Sequence, residues 1–395
     1  MENVQRTPEE AMPASEAVDY RTRCALSTDK SNVARIASMP DAKSTTPASP
    51  ELLDLEPLRN ARDASLKTRE GLDSLLSAKI GKFASEDTSL VVFGSLAREE
   101  WTSKSDLDWT YLIDGGANSD HLKISQEIQK LLKEEGYVEP GPSGTFGNMA
   151  FSHDIIHQIG GQYDTNKNTT QRILLLLESC PIGRRTEAHE RVIRGVINRY
   201  LEEDVHPLTR DSNRYRVPRF LLNDIVRFWR TMAVDFASKQ RDRAGEGWGL
   251  RNAKLRMSRK LIFASGMLVC FSAYLDPALN EQISTDKDAI KLKLVNHIRD
   301  RVKLTPLQIL AKSIEQYEVP DATAKELFGA YGEFLGLLND EKSREALKVL
   351  RASGSRTDAT FRTVRDISRA FENALDHIFF VNPNVAPLTR KYGVF

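Results

Sequence analysis

Two short apolar runs, separated by a polar connection, constrain the fold of this chain more than any other feature. Residues 90–93 (Leu-Val-Val-Phe) have the length and the β-branched content of a buried strand, and this run stops at Gly94-Ser95. A second apolar run, residues 107–113, predicts a neighbouring strand. The sequence therefore predicts a sheet in this part of the chain, with a turn directly after its first strand.

Two carboxylates stand at the start of the second run. Asp106 and Asp108 are two residues apart, so on a strand both side chains point to the same side. Carboxylates held this close repel each other unless a cation lies between them, and Mg²⁺ binds one or two such oxygens together with substrate phosphates and water. The turn at Gly94 and Ser95 offers N–H groups, a hydroxyl and a helix N-terminus to a phosphate. These features indicate phosphoryl-transfer chemistry on a nucleotide.

At these residues the chain resembles the nucleotidyltransferase superfamily of the DNA polymerase β type, whose signature is Gly-Ser, a gap and then Asp-x-Asp. Here the signature is Gly94-Ser95 and Asp106-Leu107-Asp108. Further along, Asp164-Thr165, a leucine run that ends at Glu178, and a small loop with Gly183 resemble bacterial PII-uridylyltransferases and their relatives, and this resemblance covers residues 70–185 in the order of elements. The resemblance implies an α+β fold, with a small mixed-sheet nucleotidyltransferase domain followed by an all-α helical domain. It implies Mg²⁺ or Mn²⁺ as cofactor, bound by the two aspartates, and an NTP or dNTP as substrate.

The resemblance also implies a third carboxylate at the metal site, and Asp154 is the first candidate for it. Asp154 would point to the metal if residues 150–159 form a strand. The same segment is equally compatible with a helix capped by Ser152, in which case Asp164 is a capping or turn residue. A short apolar run does not distinguish the two, and the uridylyltransferase-like pattern does not require a third acid from this region.

Other polar residues of the same region have two interpretations each. His153 and His157 would share a helix face, where they could bind a metal, but polar residues at the edge of the cleft are the interpretation we favour. Arg172 lies one turn into a predicted helix beside the cleft. It is a candidate for a phosphate contact or, equally, for a structural ion pair with Glu178 or another acid.

The chain divides into three parts by its patterning. Residues 1–48, rich in Ser, Thr, Ala and Pro, predict a flexible tail. Residues 49–185 predict the catalytic domain with its leading helices, and residues 186–395 predict an α-helical domain that closes the nucleotide cleft. The helical patterns of this last part fall on residues 192–201, 218–239, 250–274, 289–302, 306–317, 324–338 and 361–379.

A basic run in the helical part supplies candidates for the triphosphate. Residues 239–260 contain eight Lys or Arg and two acidic residues, which on most helices is simply a solvated face. The superfamily commonly provides a Lys or Arg from its helical domain, and the resemblance implies Lys254 in this role, with Arg251 or Lys260 as helpers.

Composition excludes several classes of protein. The net charge of +1 means that any nucleic-acid affinity must come from local patches. No apolar run approaches the ~20 residues of a membrane span, and the start of the chain lacks the apolar segment of a signal peptide, so a cytoplasmic location and no membrane partner are expected. The three cysteines are too widely spaced for a disulfide framework or a zinc site.

The expected reaction transfers a nucleoside monophosphate to a hydroxyl, and the acceptor stays open. It is a nucleic acid or a nucleotide, as in bacterial defence or signalling enzymes that make oligonucleotides or modify RNA, or a protein hydroxyl, including that of the chain's own Tyr392. The chain departs from the family at Glu99 and Glu100, where glycine often follows the Ala-Arg pair. An inactive nucleotide-binding pseudoenzyme is therefore the competing hypothesis, and a homo-oligomer is compatible with all of these.

Overall fold

The two strands predicted around the Gly-Ser and Asp-x-Asp motifs are present. A computed structural model of the chain describes residues 50–81, 85–102, 104–141, 144–202, 208–210, 214–242, 245–281 and 283–393. The tail predicted for residues 1–48 lies outside the described residues.

Six strands and seventeen helices are found in the described part of the chain. The strands are β1 (Thr88–Phe93), β2 (Trp109–Ile113), β3 (Asn148–Phe151), β4 (Ser179–Ile182), β5 (Thr209–Arg210) and β6 (Arg214–Tyr215). The helices are α1 (Pro50–Leu53), α2 (Glu56–Ile80), α3 (Gly94–Ala97), α4 (Asp120–Glu134), α5 (Ser152–His157), α6 (Asn166–Leu177), α7 (Glu187–Glu202), α8 (Arg219–Asp242), α9 (Trp248–Lys254), α10 (Lys260–Leu275), α11 (Pro277–Asn280), α12 (Lys287–Val302), α13 (Pro306–Gln316), α14 (Asp321–Asn339), α15 (Glu341–Val349), α16 (Ala359–Asp376) and α17 (Ala386–Leu388). Short π-helical segments cover Leu255–Arg259, His377–Val381 and Thr389–Gly393, and a 3₁₀ turn covers Ala352–Gly354.

The main sheet has four strands in the order β3-β2-β1-β4. Strand β1 is antiparallel to β2 and to β4, whereas β2 is parallel to β3. A parallel neighbour needs a crossover, and α4 provides it between β2 and β3. This small mixed sheet, followed by helices, confirms the α+β fold class.

Strand β1 is buried on both faces and contributes to two cores. Leu90 and Val92 pack with α2 and α4, whereas Val91 and Phe93 pack into the larger core that the helical part of the chain shares. This alternation follows from the two-residue period of a strand. Because the larger core extends from the sheet to Leu388, residues Pro47–Phe395 form one compact unit. The domain boundary expected near residue 185 stays a prediction.

The segment 150–159, for which the sequence allowed a strand or a helix, forms some of each. Its first two residues are the end of β3 and the following residues form α5, so Asp154 lies on a helix. Elsewhere, the most apolar helix, α10, is buried inside the protein. Among the described residues, no helix combines the length and the apolar character that crossing a membrane requires.

Candidate active site

Gly94 occupies the turn that links β1 to α3. Its φ of +68° lies in the left-handed region, and a Cβ built on it would lie 3.2 Å from Oδ2 of Asp108. The backbone N–H of Phe93 donates to the carbonyl of Asp108 at 2.9 Å, which fixes the strand carrying the aspartates against this turn. The backbone conformation therefore favours glycine at this position, and the space beside it is tight.

We expect Gly94→Ala to lower divalent-metal affinity at least about tenfold, because the new methyl group displaces the Asp108 carboxylate and the backbone is strained by about 1 kcal/mol. Calorimetric titration with Mn²⁺ measures the affinity. Gly116→Ala is the matched control, since nothing lies within 4 Å of its Cβ position. Equal affinities of the two variants would contradict the role of the close approach.

Asp106 and Asp108 line one cleft together with Gly94 and Ser95. The Asp106 side chain is 43% exposed, whereas Asp108 lies deeper. Burial, followed by the charges of Asp106 and Glu178, raises the pKa of Asp108 to about 7. The two aspartates thus place two carboxylates in one cleft, and carboxylate oxygens are the ligands that Mg²⁺ or Mn²⁺ prefers.

Glu178 lies at the same cleft, directly between α6 and β4. Its side chain is 7% exposed and pairs with the guanidinium of Arg98. Burial raises the pKa of Glu178, and Arg98 acts in the opposite direction. In the sequence this residue is visible only as the acid that follows an apolar helix, and its position just before β4 was the available signal.

A buried chain of polar contacts joins this centre to the helical part. Arg98 also pairs with Glu100 at 2.7 Å, and the hydroxyl of Tyr331 donates to the other oxygen of Glu100 at 2.8 Å. Glu99 instead has a φ of +64° and lies 3.5 Å from Arg69. The two acids that depart from the expected pattern are thus neutralised by arginines.

Lys254 lies on the opposite wall of the cleft, with its Nζ atom 4.0 Å from Oδ1 of Asp106. Arg259 lines the same wall, although residues five apart on an α-helix point about 140° away from each other. The π-helical turn Leu255–Arg259 explains this, because its i→i+5 bonds place such residues above one another. Helical spacing in the sequence could not reveal Arg259.

Arg344, on α15, is a third cation of the cleft. It donates to the carbonyl of Lys104 at 2.6 Å and to Oγ1 of Thr102 at 3.3 Å, so it holds the segment that leads into Asp106. Motif analysis could not identify Arg344, because it lies more than two hundred residues from these partners in the sequence.

Residues 76–141 match the nucleotidyltransferase domain family. The matched segment contains β1, the Gly94-Ser95 turn, both aspartates and helix α4. It supports the resemblance to the DNA polymerase β-type superfamily. No curated protein matches the chain. The helical part, which contributes the three cations, lies beyond the matched nucleotidyltransferase domain.

Asp154 does not line this cleft, so the structure does not bring it together with Asp106 and Asp108, and its position gives the assignment as a metal ligand no support. It is exposed on α5 and accepts a hydrogen bond from Gln158 at 3.0 Å, because helix formation turned it away from the cleft. His153 and His157 are exposed on the same helix, with ring centroids 5.1 Å apart. Within the described ranges, no three His, Cys, Asp or Glu side chains are grouped so that they could hold a metal ion by themselves. Asp106 and Asp108 could hold one if substrate oxygens supplied the remaining ligands.

Arg172 is also placed elsewhere than a phosphate contact requires. Its side chain is fully buried and pairs with Asp164 at 2.9 Å and with Asp224 at 2.7 Å. Arg172 therefore forms a structural ion pair, which was the alternative interpretation of the sequence. Its partners are Asp164 and Asp224 rather than Glu178.

The two proposed helpers of Lys254 do not line the cleft either. Lys260 pairs with Glu372 at 2.8 Å, which directs its ammonium group to another surface. Arg251 lies on α9 but is not among the residues of the cleft wall. The cations that line the cleft together with Lys254 are instead Arg259 and Arg344.

Proposed function

We propose that the protein transfers a nucleoside monophosphate from an NTP or dNTP to a hydroxyl group and releases pyrophosphate. The observation that carries this proposal is the close approach of the Asp108 carboxylate to the Gly94 turn, where a Cβ on Gly94 would lie only 3.2 Å from Oδ2 of Asp108, with Asp106 in the same cleft. A turn of this kind accepts phosphate oxygens, and the carboxylate pair accepts a divalent metal. The two requirements of the reaction are thus met within one cleft.

The polar and charged residues at the centre of the cleft have distinct roles in the proposed reaction. Gly94 and Ser95 present N–H groups and a hydroxyl to the β- and γ-phosphates. Lys254 and Arg259 neutralise the triphosphate from the opposite wall, and a metal held by the aspartates would supply charge neutralisation at the α-phosphate and a lower pKa for the acceptor hydroxyl. Glu178 adds negative charge to the centre, since it raises the pKa of Asp108.

The acceptor belongs to another molecule in this proposal. Tyr392 packs against the larger core, with Nζ of Lys391 5.1 Å from its ring centroid, and it does not line the cleft. Self-modification through Tyr392 has no support from this position. A PII-uridylyltransferase-like activity on a protein, and a role in defence or signalling, rest on the sequence resemblance alone.

The decisive experiment is incubation of the protein with each α-labelled NTP and dNTP in the presence of Mg²⁺ or Mn²⁺. We expect label in a product of one nucleotide class, and its loss in an Asp106→Ala/Asp108→Ala variant. Asp154→Ala is the matched control, since it removes an exposed aspartate outside the cleft. Nucleotide binding without transfer, with RNA, DNA and protein acceptors all supplied, would favour the pseudoenzyme.

Metal affinity is expected to depend on pH around neutrality. Because the pKa of Asp108 is about 7, protons compete with the metal below that value, and affinity falls up to about tenfold per pH unit as the pH is lowered. Above pH 8 the carboxylate is ionised and affinity levels off. Mn²⁺ titrations between pH 5.5 and 8.5 measure this, and an affinity that stays constant from pH 7.5 to 5.5 would contradict it.

A further inference from the structure

Further basic residues follow Arg344 in the sequence, along α15 and into α16. Arg344 lines the cleft, and Lys348 follows it one helical turn later on the same face. Four arginines follow α15 in the sequence, and we call them the arginine track: Arg351, Arg356, Arg362 and Arg365. The first three of these are exposed and the fourth is half-buried.

The arginine track lacks acidic partners. Within the described part of the chain, none of its four guanidinium groups has a carboxylate within 4.0 Å, whereas other surface arginines do. Arg59 lies 3.2 Å from Asp54, and Arg185 lies 3.6 Å from Glu187. Unpaired guanidinium groups keep their hydrogen-bond donors available for an external anion.

The local charge is large for a protein with a net charge of +1. Residues 341–365 contain seven Lys or Arg and three Asp or Glu, an excess of four positive charges, so the rest of the chain carries a net charge of −3. A concentration of positive charge in one segment attracts a polyanion to that surface.

The arginine track is held rigidly beside the cleft. The N–H of Gly249, on α9, donates to the carbonyl of Leu350 at 3.1 Å, and Trp248 packs on Phe361 with ring centroids 4.9 Å apart. Asp358 caps α16 by accepting the N–H of Phe361 at 2.7 Å. The same helix α9 ends in Lys254, so the arginine track and the cleft wall share one support.

We infer that the arginine track binds the phosphodiester backbone of a nucleic-acid acceptor, whose terminal hydroxyl enters the cleft beside Arg344. The entry of the hydroxyl rests on the proposed function, whereas backbone binding does not. Guanidinium groups match phosphate oxygens in geometry, and three of the four in the arginine track are exposed. Between residues 341 and 369, Val349 is the one large apolar side chain that the described structure leaves exposed, which disfavours a membrane surface.

The test measures binding of a fluorescent 20-nucleotide single strand, as RNA and as DNA of the same sequence, to the full chain without NTP. The variant is Arg351→Glu/Arg356→Glu/Arg362→Glu. Its control is Arg59→Glu/Arg62→Glu/Arg185→Glu, which changes the net charge equally at arginines that are at least partly exposed, lie outside the cleft and pair with acids. Thermal melting of each variant verifies that it is folded.

We expect the track variant to bind at least about tenfold more weakly than wild type, and its log–log salt dependence to become shallower by about 2, since three phosphate contacts are lost. The control is expected to bind within about twofold of wild type. Equal weakening of both variants, or no binding of either oligonucleotide by wild type at 50 mM salt, would overturn the inference. Transfer to an acceptor other than nucleic acid, without oligonucleotide binding, refutes the track alone; binding without transfer refutes the proposed function alone.

Discussion

Asp108→Asn is expected to abolish nucleotide transfer, by about a thousandfold or more, and at the same time to stabilise the protein at pH 8. Transfer is lost because an amide is a poor ligand for a divalent metal and carries no charge. Stability rises because the ionised carboxylate lies in a buried centre beside Asp106 and Glu178. One substitution therefore tests both effects of this charge, its expected requirement for nucleotide transfer and its destabilisation of the folded protein.

The sign of the stability effect follows from proton linkage. The folded-state pKa of Asp108, about 7, lies above its ordinary value of 3.8, so the folded protein binds more protons than the unfolded chain between these values. The contribution of Asp108 to stability is complete below pH 3.8 and is lost as the pH rises through 7. We expect Asp108→Asn to raise the free energy of unfolding by about 2 kcal/mol at pH 8, allowing for solvent screening, and by less at pH 5.

Urea unfolding of wild type and variant in metal-free buffer at both pH values measures this difference. Asp154→Asn is the control, because its carboxylate is exposed and lies outside the cleft. A variant that is less stable than wild type at pH 8 would contradict the claim that the ionised Asp108 carboxylate destabilises the folded protein. Full retention of transfer by the variant would remove Asp108 from the proposed metal site.

Arg172→Met is expected to lower the free energy of unfolding by about 3–5 kcal/mol. The substitution removes the guanidinium group that pairs with two carboxylates inside the protein. Arg172 is fully buried between Asp164 and Asp224, and its Nε donates to the hydroxyl of Tyr200 at 2.6 Å. These partners connect α6 to α7, α8 and the loop before α6. The effect should appear in urea unfolding without a pronounced change in metal affinity.

Arg227→Met is the matched control for this prediction. Arg227 contacts the same carboxylate, Oδ2 of Asp164, at 3.1 Å, but its side chain is 36% exposed. A partly exposed ion pair contributes about 1 kcal/mol or less. Equal destabilisation by the two substitutions would show that burial of Arg172 is not what makes its network important.

The sequence located the centre of the candidate site because its parts are local. A strand, a glycine turn and two aspartates occupy fewer than thirty consecutive residues, and strand periodicity alone makes Asp106 and Asp108 face one side. The fold class followed from the same periodicity and from the helical patterns after residue 186.

The parts that sequence analysis missed depend on long-range packing or on local irregularity. Asp154 was assigned to the metal because a short apolar run fits both strand and helix, and the structure places it on the helix. Arg259 requires a π-helical turn, which leaves no clear pattern in the sequence, and Arg344 reaches the cleft only through tertiary packing. Lys254 was found because the superfamily resemblance gave a reason to choose one lysine of a basic run.

The two cores that share β1 make the catalytic part impossible to excise cleanly. A fragment ending near residue 185 would lose most of the larger core into which Val91 and Phe93 pack. It would also remove Tyr331 and leave Glu100 without that hydrogen bond. The segment that carries the nucleotidyltransferase signature is thus not an interchangeable module, and grafting it onto another helical partner would require rebuilding the whole face of the strand.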